Sequence, residues 1–243
     1  MTAIKTVSLT KKYKDTVAVN ELNLEIEKGE FFSLLGVNGA GKTTTIKMLS
    51  GIVPPTSGDA FICGHSIVSD RINAKRHINI SPQETAVGAF LTVRENLETV
   101  CGIYGCSLKE AKERADKTIE RFGMEEIQNK RASKLSGGWQ RRLSIAMALI
   151  TEPEIVFLDE PTLGLDVLAR RELWSFLENL KGKVTVVLTT HYLEEAQKLS
   201  DRIAIMAKGE IKALGTADEL IKLSGRDNFE NAFVSLCGVE VSK

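Results

Sequence analysis

The stretch Gly36-Val37-Asn38-Gly39-Ala40-Gly41-Lys42-Thr43, continued by Thr44-Thr45-Ile46-Lys47-Met48-Leu49, decides the fold. The apolar run Phe31 to Leu35 precedes it, so the order is strand, glycine-rich turn, helix. The spacing G-x-x-x-x-G-K-T is that of a P-loop. Glycines at 36, 39 and 41 admit backbone conformations that side chains forbid. Successive N–H groups across Asn38, Gly39, Ala40, Gly41, Lys42, Thr43 and Thr44 can then converge on phosphate oxygens, helped by the positive end of the following helix. Lys42 is placed to reach the β- and γ-phosphates, and the Thr43 hydroxyl to ligate Mg²⁺. A nucleoside triphosphate is the ligand this chemistry suits.

Working outward, 243 residues suit one large α/β domain or a domain with an inserted subdomain. Lys+Arg and Asp+Glu both number 32, without a block of like charge, so no dedicated nucleic-acid surface is expected. Cys63, Cys101, Cys106 and Cys237 form no C-x-x-C pair and lie in no His cluster along the sequence, so neither a zinc site nor a disulfide framework is expected. The segment Met1 to Lys5 lacks the apolar core of a signal peptide, and no apolar run approaches the length of a membrane span. Any membrane role is expected to come through a partner.

Residues 4–10 and 17–28 read as strands, with Tyr13 on a basic loop between them. Short strands are expected at 60–63 and 77–81. From about residue 85 the pattern turns helical. Thr92-x-x-Glu95 and Ser107-x-x-Glu110 have the form of capping boxes, each followed by apolar residues every three or four positions. A further helix opens at Leu135-Ser136-Gly137-Gly138-Trp139-Gln140. Strands are expected at 155–158, 184–188, 203–207 and 210–214, with helices after Asp166, after His191 and after Thr216. The expected fold is α/β: a P-loop NTPase core with a mostly parallel sheet, an N-terminal antiparallel β subdomain and an inserted α-helical subdomain. The expected domain runs over 1–225 (core 1–84 and 144–225, helical subdomain 85–143), with a short helical tail at 226–243.

A P-loop needs a second, acidic element. Asp159 follows the apolar run Ile155 to Leu158, at the carboxyl end of a strand where ligands bind in parallel α/β sheets. It can hold Mg²⁺ through water. Glu160 beside it can take a proton from an attacking water.

Taken with Leu-Ser-Gly-Gly-x-Gln at 135–140, placed between P-loop and acidic strand, the pattern resembles the ATP-binding cassette (ABC) ATPases over essentially the whole chain. The resemblance implies a sandwich dimer, with ATP held between the P-loop of one subunit and Ser136, Gly137 and Gly138 of a second copy or homologous subunit. The Ser136 hydroxyl and the bare N–H groups of Gly137 and Gly138 at a helix start suit an arriving γ-phosphate. It also implies that Tyr13 stacks on adenine, that Gln83 touches Mg²⁺ or the attacking water, and that Asp166 crosses the dimer interface as well as capping a helix. His191, about thirty residues past the acidic strand, would contact the γ-phosphate and orient Glu160. His65 and His77 match nothing in the family pattern and read as structural or solvated.

Two departures stand out. Trp139 occupies a signature position usually held by a flexible or polar side chain, and Val167 stands where such chains often have Pro. Neither removes a catalytic group. Thr43 to Ile46, Thr162 to Asp166 and Asn228 to Phe233 resemble the ATPase subunits of multidrug, antibiotic, lipid or sodium exporters. Those subunits pair with a separate integral-membrane permease, so the resemblance implies a peripheral location on the cytoplasmic face of the cell membrane. An alternative is a soluble ABC-type ATPase acting on ribosomes or nucleic acid; another is a nucleotide-binding regulator without turnover.

Overall fold

The computed structural model describes residues 1–238; the end of the expected tail, 239–243, lies outside the described residues. In chain order the elements are β1 (Thr2–Tyr13), β2 (Thr16–Glu27), β3 (Phe31–Leu35), α1 (Lys42–Leu49), β4 (Ser57–Ile62), β5 (His65–Ser66), α2 (Arg71–Arg76) and β6 (Ile78–Ser81). The helical segment holds α3 (Val93–Ile103), α4 (Leu108–Phe122) and α5 (Gly137–Leu149). There follow β7 (Ile155–Asp159), α6 (Val167–Glu178), β8 (Thr185–Thr190), α7 (Leu193–Leu199), β9 (Arg202–Ala207), β10 (Glu210–Gly215), α8 (Ala217–Ser224) and α9 (Phe229–Leu236).

The strands form two sheets. One runs β2-β1-β4-β5 and is antiparallel; the other runs β10-β9-β3-β8-β7-β6 and is parallel except for its edge strand β10. The continuous apolar runs of the second sheet follow from its position between two cores. On β7, Val156 and Leu158 pack with the helical segment, while Ile155 and Phe157 join the core shared with α1 and the antiparallel sheet. On β8, Val186 and Leu188 alternate with Val187 in the same way. Each fully buried side chain of this kind contributes about 1.5–3 kcal/mol.

The helix starts follow their local chemistry. Thr92, Ser107 and Thr216 each cap a helix and close a complete capping box with Glu95, Glu110 and Glu219. Each cap contributes about 1 kcal/mol. Asp166 caps α6 by accepting from the N–H groups of Leu168 and Ala169, both at 2.9 Å. Val167 is the first residue of that helix, so the missing proline does not displace its start.

Three placements differ from the sequence reading. Tyr13 is the last residue of β1 rather than a loop residue, because β1 continues through Lys11 and Lys12 to pair with β2 as far as Thr16. The short helix α2 has too little apolar periodicity to stand out in the sequence. The residue 143/144 division falls inside α5, one continuous helix that runs from the helical segment into the core. Among the described residues, no helix is long and apolar enough to cross a membrane.

Candidate functional site

Strand order assembles the site. The parallel strands β3, β8, β7 and β6 lie side by side, so their carboxyl ends bring the P-loop, His191, Asp159-Glu160 and Gln83 to one edge of the sheet. There they line an open cleft of about 810 Å³, with Tyr13, Asn38 to Thr44, Gln83, Glu160, His191 and Lys208 among its walls. A larger cleft of about 960 Å³ lies beyond His191, against α6 and α9, and has no phosphate-binding turn.

The P-loop glycines answer two constraints. A side chain at Gly36 would collide with the Met206 carbonyl oxygen. Gly41 has φ +103°, and a Cβ there would lie 2.5 Å from the Ala18 carbonyl oxygen. Between them the Ala40 N–H donates to the Val37 carbonyl (3.1 Å), tightening the turn. The N–H groups of Gly39, Gly41, Lys42, Thr43 and Thr44 have no protein acceptor among the described residues, so they remain free for an anion at the start of α1. Lys42 folds back over the turn. Its Nζ donates to the carbonyls of Gly36 (2.7 Å) and Val37 (3.3 Å) and lies 3.6 Å from Glu160 Oε1. Burial pulls its ammonium below the ordinary lysine range, against the attraction of Glu160 and Asp159.

The acidic pair sits at the end of β7. Asp159 Oδ1 accepts from the hydroxyls of Thr43 (3.2 Å) and Thr189 (2.5 Å). The Glu160 N–H points at both the carbonyl and the hydroxyl oxygen of Thr189, each at 3.1 Å. These contacts hold Glu160 at φ +46°, a conformation that non-glycine residues rarely adopt and that recurs at functional sites. His191 Nδ1 lies 3.2 Å from Glu160 Oε2 but is buried without an aligned hydrogen bond. Behind the histidine, fully buried Glu195 accepts from Trp174 Nε1 at 3.1 Å, and burial pushes its carboxyl up against the pull of Thr190, Trp174 and Thr162.

Two contributors were not singled out from the sequence. Thr189 reads there as the end of an apolar strand, yet its hydroxyl joins Asp159 to the Glu160 backbone. Arg141 reads as one more base on the signature helix, yet it is 3% exposed and its fork clamps backbone carbonyls from two separate segments. It donates to Pro82 and to Gln83 (3.2 Å) on one side, and to Asp159 (2.7 Å) and Pro161 (2.8 Å) on the other. Burial pulls its guanidinium down to about 10, opposed by Asp159 and Glu195. An Arg141→Met variant should lose roughly 2–4 kcal/mol, because several buried carbonyls are left unpaired. Thermal unfolding would show it, and an unchanged melting temperature would refute the clamp. Arg141→Lys should recover only part of the loss, since an ammonium lacks the planar fork.

The remaining candidates lie elsewhere. Ser136 and Gly137 are exposed at the start of α5, and neither they nor Gly138 and Asp166 line the cleft of their own chain. The Ser136 hydroxyl accepts from the Trp139 N–H at 3.4 Å, which leaves its own proton free to donate. Trp139 packs its ring beneath Arg142, whose guanidinium carbon lies 4.6 Å from the ring centroid.

The family profile described as ABC transporter matches residues 19–163, well over half of the chain. The chain belongs to the ABC transporter family. This cassette is 40% identical over 230 residues to the daunorubicin resistance ATP-binding protein DrrA3 of Streptomyces coeruleorubidus, covering 94% of this chain and 73% of that protein. It is 39% identical over 241 residues to the Probable multidrug ABC transporter ATP-binding protein YbhF of Escherichia coli, covering 97% of this chain. It is 44% identical over 204 residues to the human phospholipid-transporting ATPase ABCA3, covering 84% of this chain. The cassette spans 42% of the length of YbhF and 12% of that of ABCA3. Among solved structures it resembles the dimeric ATP-binding cassette MJ0796 bound to ADP and Pi, with a TM-score of 0.77 and 30% identity over 88% of this chain and 98% of that one.

Proposed function

We propose that this cassette binds and hydrolyses ATP between its own P-loop and the signature turn of a second cassette, and so powers export through a separate membrane permease. One observation carries the reading. Lys42, Glu160, Gln83 and His191 share one cleft, while Ser136 to Gly138 lie outside it, with Ser136 and Gly137 exposed. The site is therefore half complete, and a partner copy or a homologous subunit supplies the other half. The dimeric likeness bound to ADP and Pi supports this arrangement. The names of DrrA3, YbhF and ABCA3 support a transporter, and the first two support drug export.

The chemistry assigns a role to each group. The free N–H groups of the P-loop and Lys42 hold the β- and γ-phosphates. Tyr13, 45% exposed at the mouth of the cleft, offers its ring to adenine. Glu160 takes the proton from the attacking water, and His191 orients that carboxylate. Thr43 and Asp159 offer oxygen donors 3.2 Å apart, with the Gln83 amide on the same cleft. That all-oxygen set suits Mg²⁺, which when bound supplies positive charge to the phosphate oxygens. Asp166 reaches across the interface. The permease docks near Gln83 to Leu91, where Phe90 is 83% exposed, and the cassette works as a peripheral protein on the cytoplasmic face.

Affinity isolation of the tagged cassette from solubilised membranes should recover a polytopic membrane protein together with ATPase activity. Recovery of ribosomes in its place would overturn the transporter reading and favour the soluble alternative.

A further inference from the structure

Away from the nucleotide cleft, the fold gathers groups that the sequence keeps far apart. Cys63 in the β4–β5 turn, His77 ahead of β6 and Glu154 ahead of β7 meet at one place on the surface. His77 Nδ1 lies 2.6 Å from Glu154 Oε1, and Cys63 Sγ lies 3.7 Å from Glu154 Oε2. The sulfur, the imidazole nitrogen and a carboxylate oxygen all fall within 4.8 Å of one another. Ligand atoms around a tetrahedral zinc ion sit about 3.2–3.8 Å apart, so side-chain shifts of about 1 Å bring the three into register.

We propose that Cys63, His77 and Glu154 form a binding site for a zinc-type divalent cation, with solvent in the fourth position. A thiol, an imidazole and a carboxylate together suit zinc far better than magnesium or calcium. Binding forms the metal–thiolate bond and releases the thiol proton to solvent.

The ligand positions are held by the backbone. The Cys63 N–H donates to the Ala3 carbonyl at 2.8 Å. The His77 carbonyl accepts from the Ile155 N–H at 3.0 Å, and the Glu154 carbonyl from the Thr185 N–H at 3.0 Å. The His77 ring is also braced. His65 stacks on it with ring centroids 5.3 Å apart and planes at 13°, and Asp70 holds His65 through a 2.7 Å contact to Nδ1. Such outer contacts orient metal ligands. Lys28 borders the site, its ammonium 2.7 Å from Glu154 Oε2. Its side chain is 45% exposed and flexible, so it yields readily to a cation. A bound ion would clip the turn of the antiparallel sheet to two strands of the parallel sheet, and would stabilise the fold by mass action.

Cobalt(II) titration of the purified full chain, followed by optical absorption, tests the site. The expected result is a thiolate-to-cobalt charge-transfer band with tetrahedral d–d bands, both lost on addition of zinc. Cys63→Ser should abolish the charge-transfer band, and His77→Ala should weaken binding by about tenfold or more. Lys28→Met should tighten binding several-fold, a gain that misfolding cannot mimic. Zinc should raise the melting temperature of the wild-type chain but not of Cys63→Ser. Absence of the band from the wild-type chain overturns the proposal. So does a band that survives in Cys63→Ser, which would place the metal on another cysteine, or an affinity unchanged in both His77→Ala and Lys28→Met.

Discussion

Lys42→Ala is expected to lose ATP binding by on the order of a hundredfold, about 3 kcal/mol, and hydrolysis with it. The ammonium brings a positive charge to the cleft that the P-loop N–H groups line, and it is held over the turn by the carbonyls of Gly36 and Val37. The Gly36 carbonyl is buried, so removing the lysine leaves it unpaired and should also cost about 1–3 kcal/mol of stability. The same deletion leaves Glu160 without the cation 3.6 Å away, so charge repulsion between that carboxylate and the γ-phosphate adds to the loss. Equilibrium binding of a fluorescent ATP analogue, with circular dichroism as the folding control, measures the effect. Affinity within a few-fold of the wild type would remove Lys42 from the phosphate site.

Glu160→Gln should separate binding from turnover. The amide keeps the shape of the side chain and its reach toward His191, but it cannot take a proton from water. Hydrolysis should fall by about 10²–10⁴-fold, the usual contribution of a positioned general base, with ATP affinity retained. Because ATP then persists between the two half-sites, the variant should elute as a dimer with ATP and as a monomer without it. Retention of full turnover would exclude Glu160 as the base. ATP-independent elution would break the link between nucleotide and assembly. The contrast with Lys42→Ala is diagnostic, since one variant fails to load the cleft and the other loads it without turning over.

Most of the fold was legible in the chain because its decisive signals are local. Thr92-x-x-Glu95, Ser107-x-x-Glu110 and Thr216-x-x-Glu219 each lie within four residues, and each forms the reciprocal bonds that its spacing implies. The run Ile155 to Leu158 announced a strand, and β7 lies there, packed between two cores. The weakly patterned α2 and the last residues of β1 were not legible. The first is six residues long with one buried side chain, and the second is set by pairing with β2 rather than by its own basic sequence.

By itself, the sequence determined the phosphate turn, the acidic pair, the signature turn and the helix caps, because each is a contiguous pattern whose chemistry acts within a few bonds. Only the tertiary structure decided what those patterns meet. Strand order put His191 3.2 Å from Glu160 and placed the Thr189 hydroxyl on Asp159. Packing of α5 carried Arg141 onto the carbonyls of Pro82, Gln83, Asp159 and Pro161, although those residues are 18 to 59 positions away. It also kept Ser136 to Gly138 outside their own cleft, the observation on which the proposed shared site rests, and it drew Cys63, His77 and Glu154 into one cluster. Such meetings depend on sheet register and helix docking. Both are set by the burial of apolar faces summed over the whole chain, so no short stretch of residues encodes them.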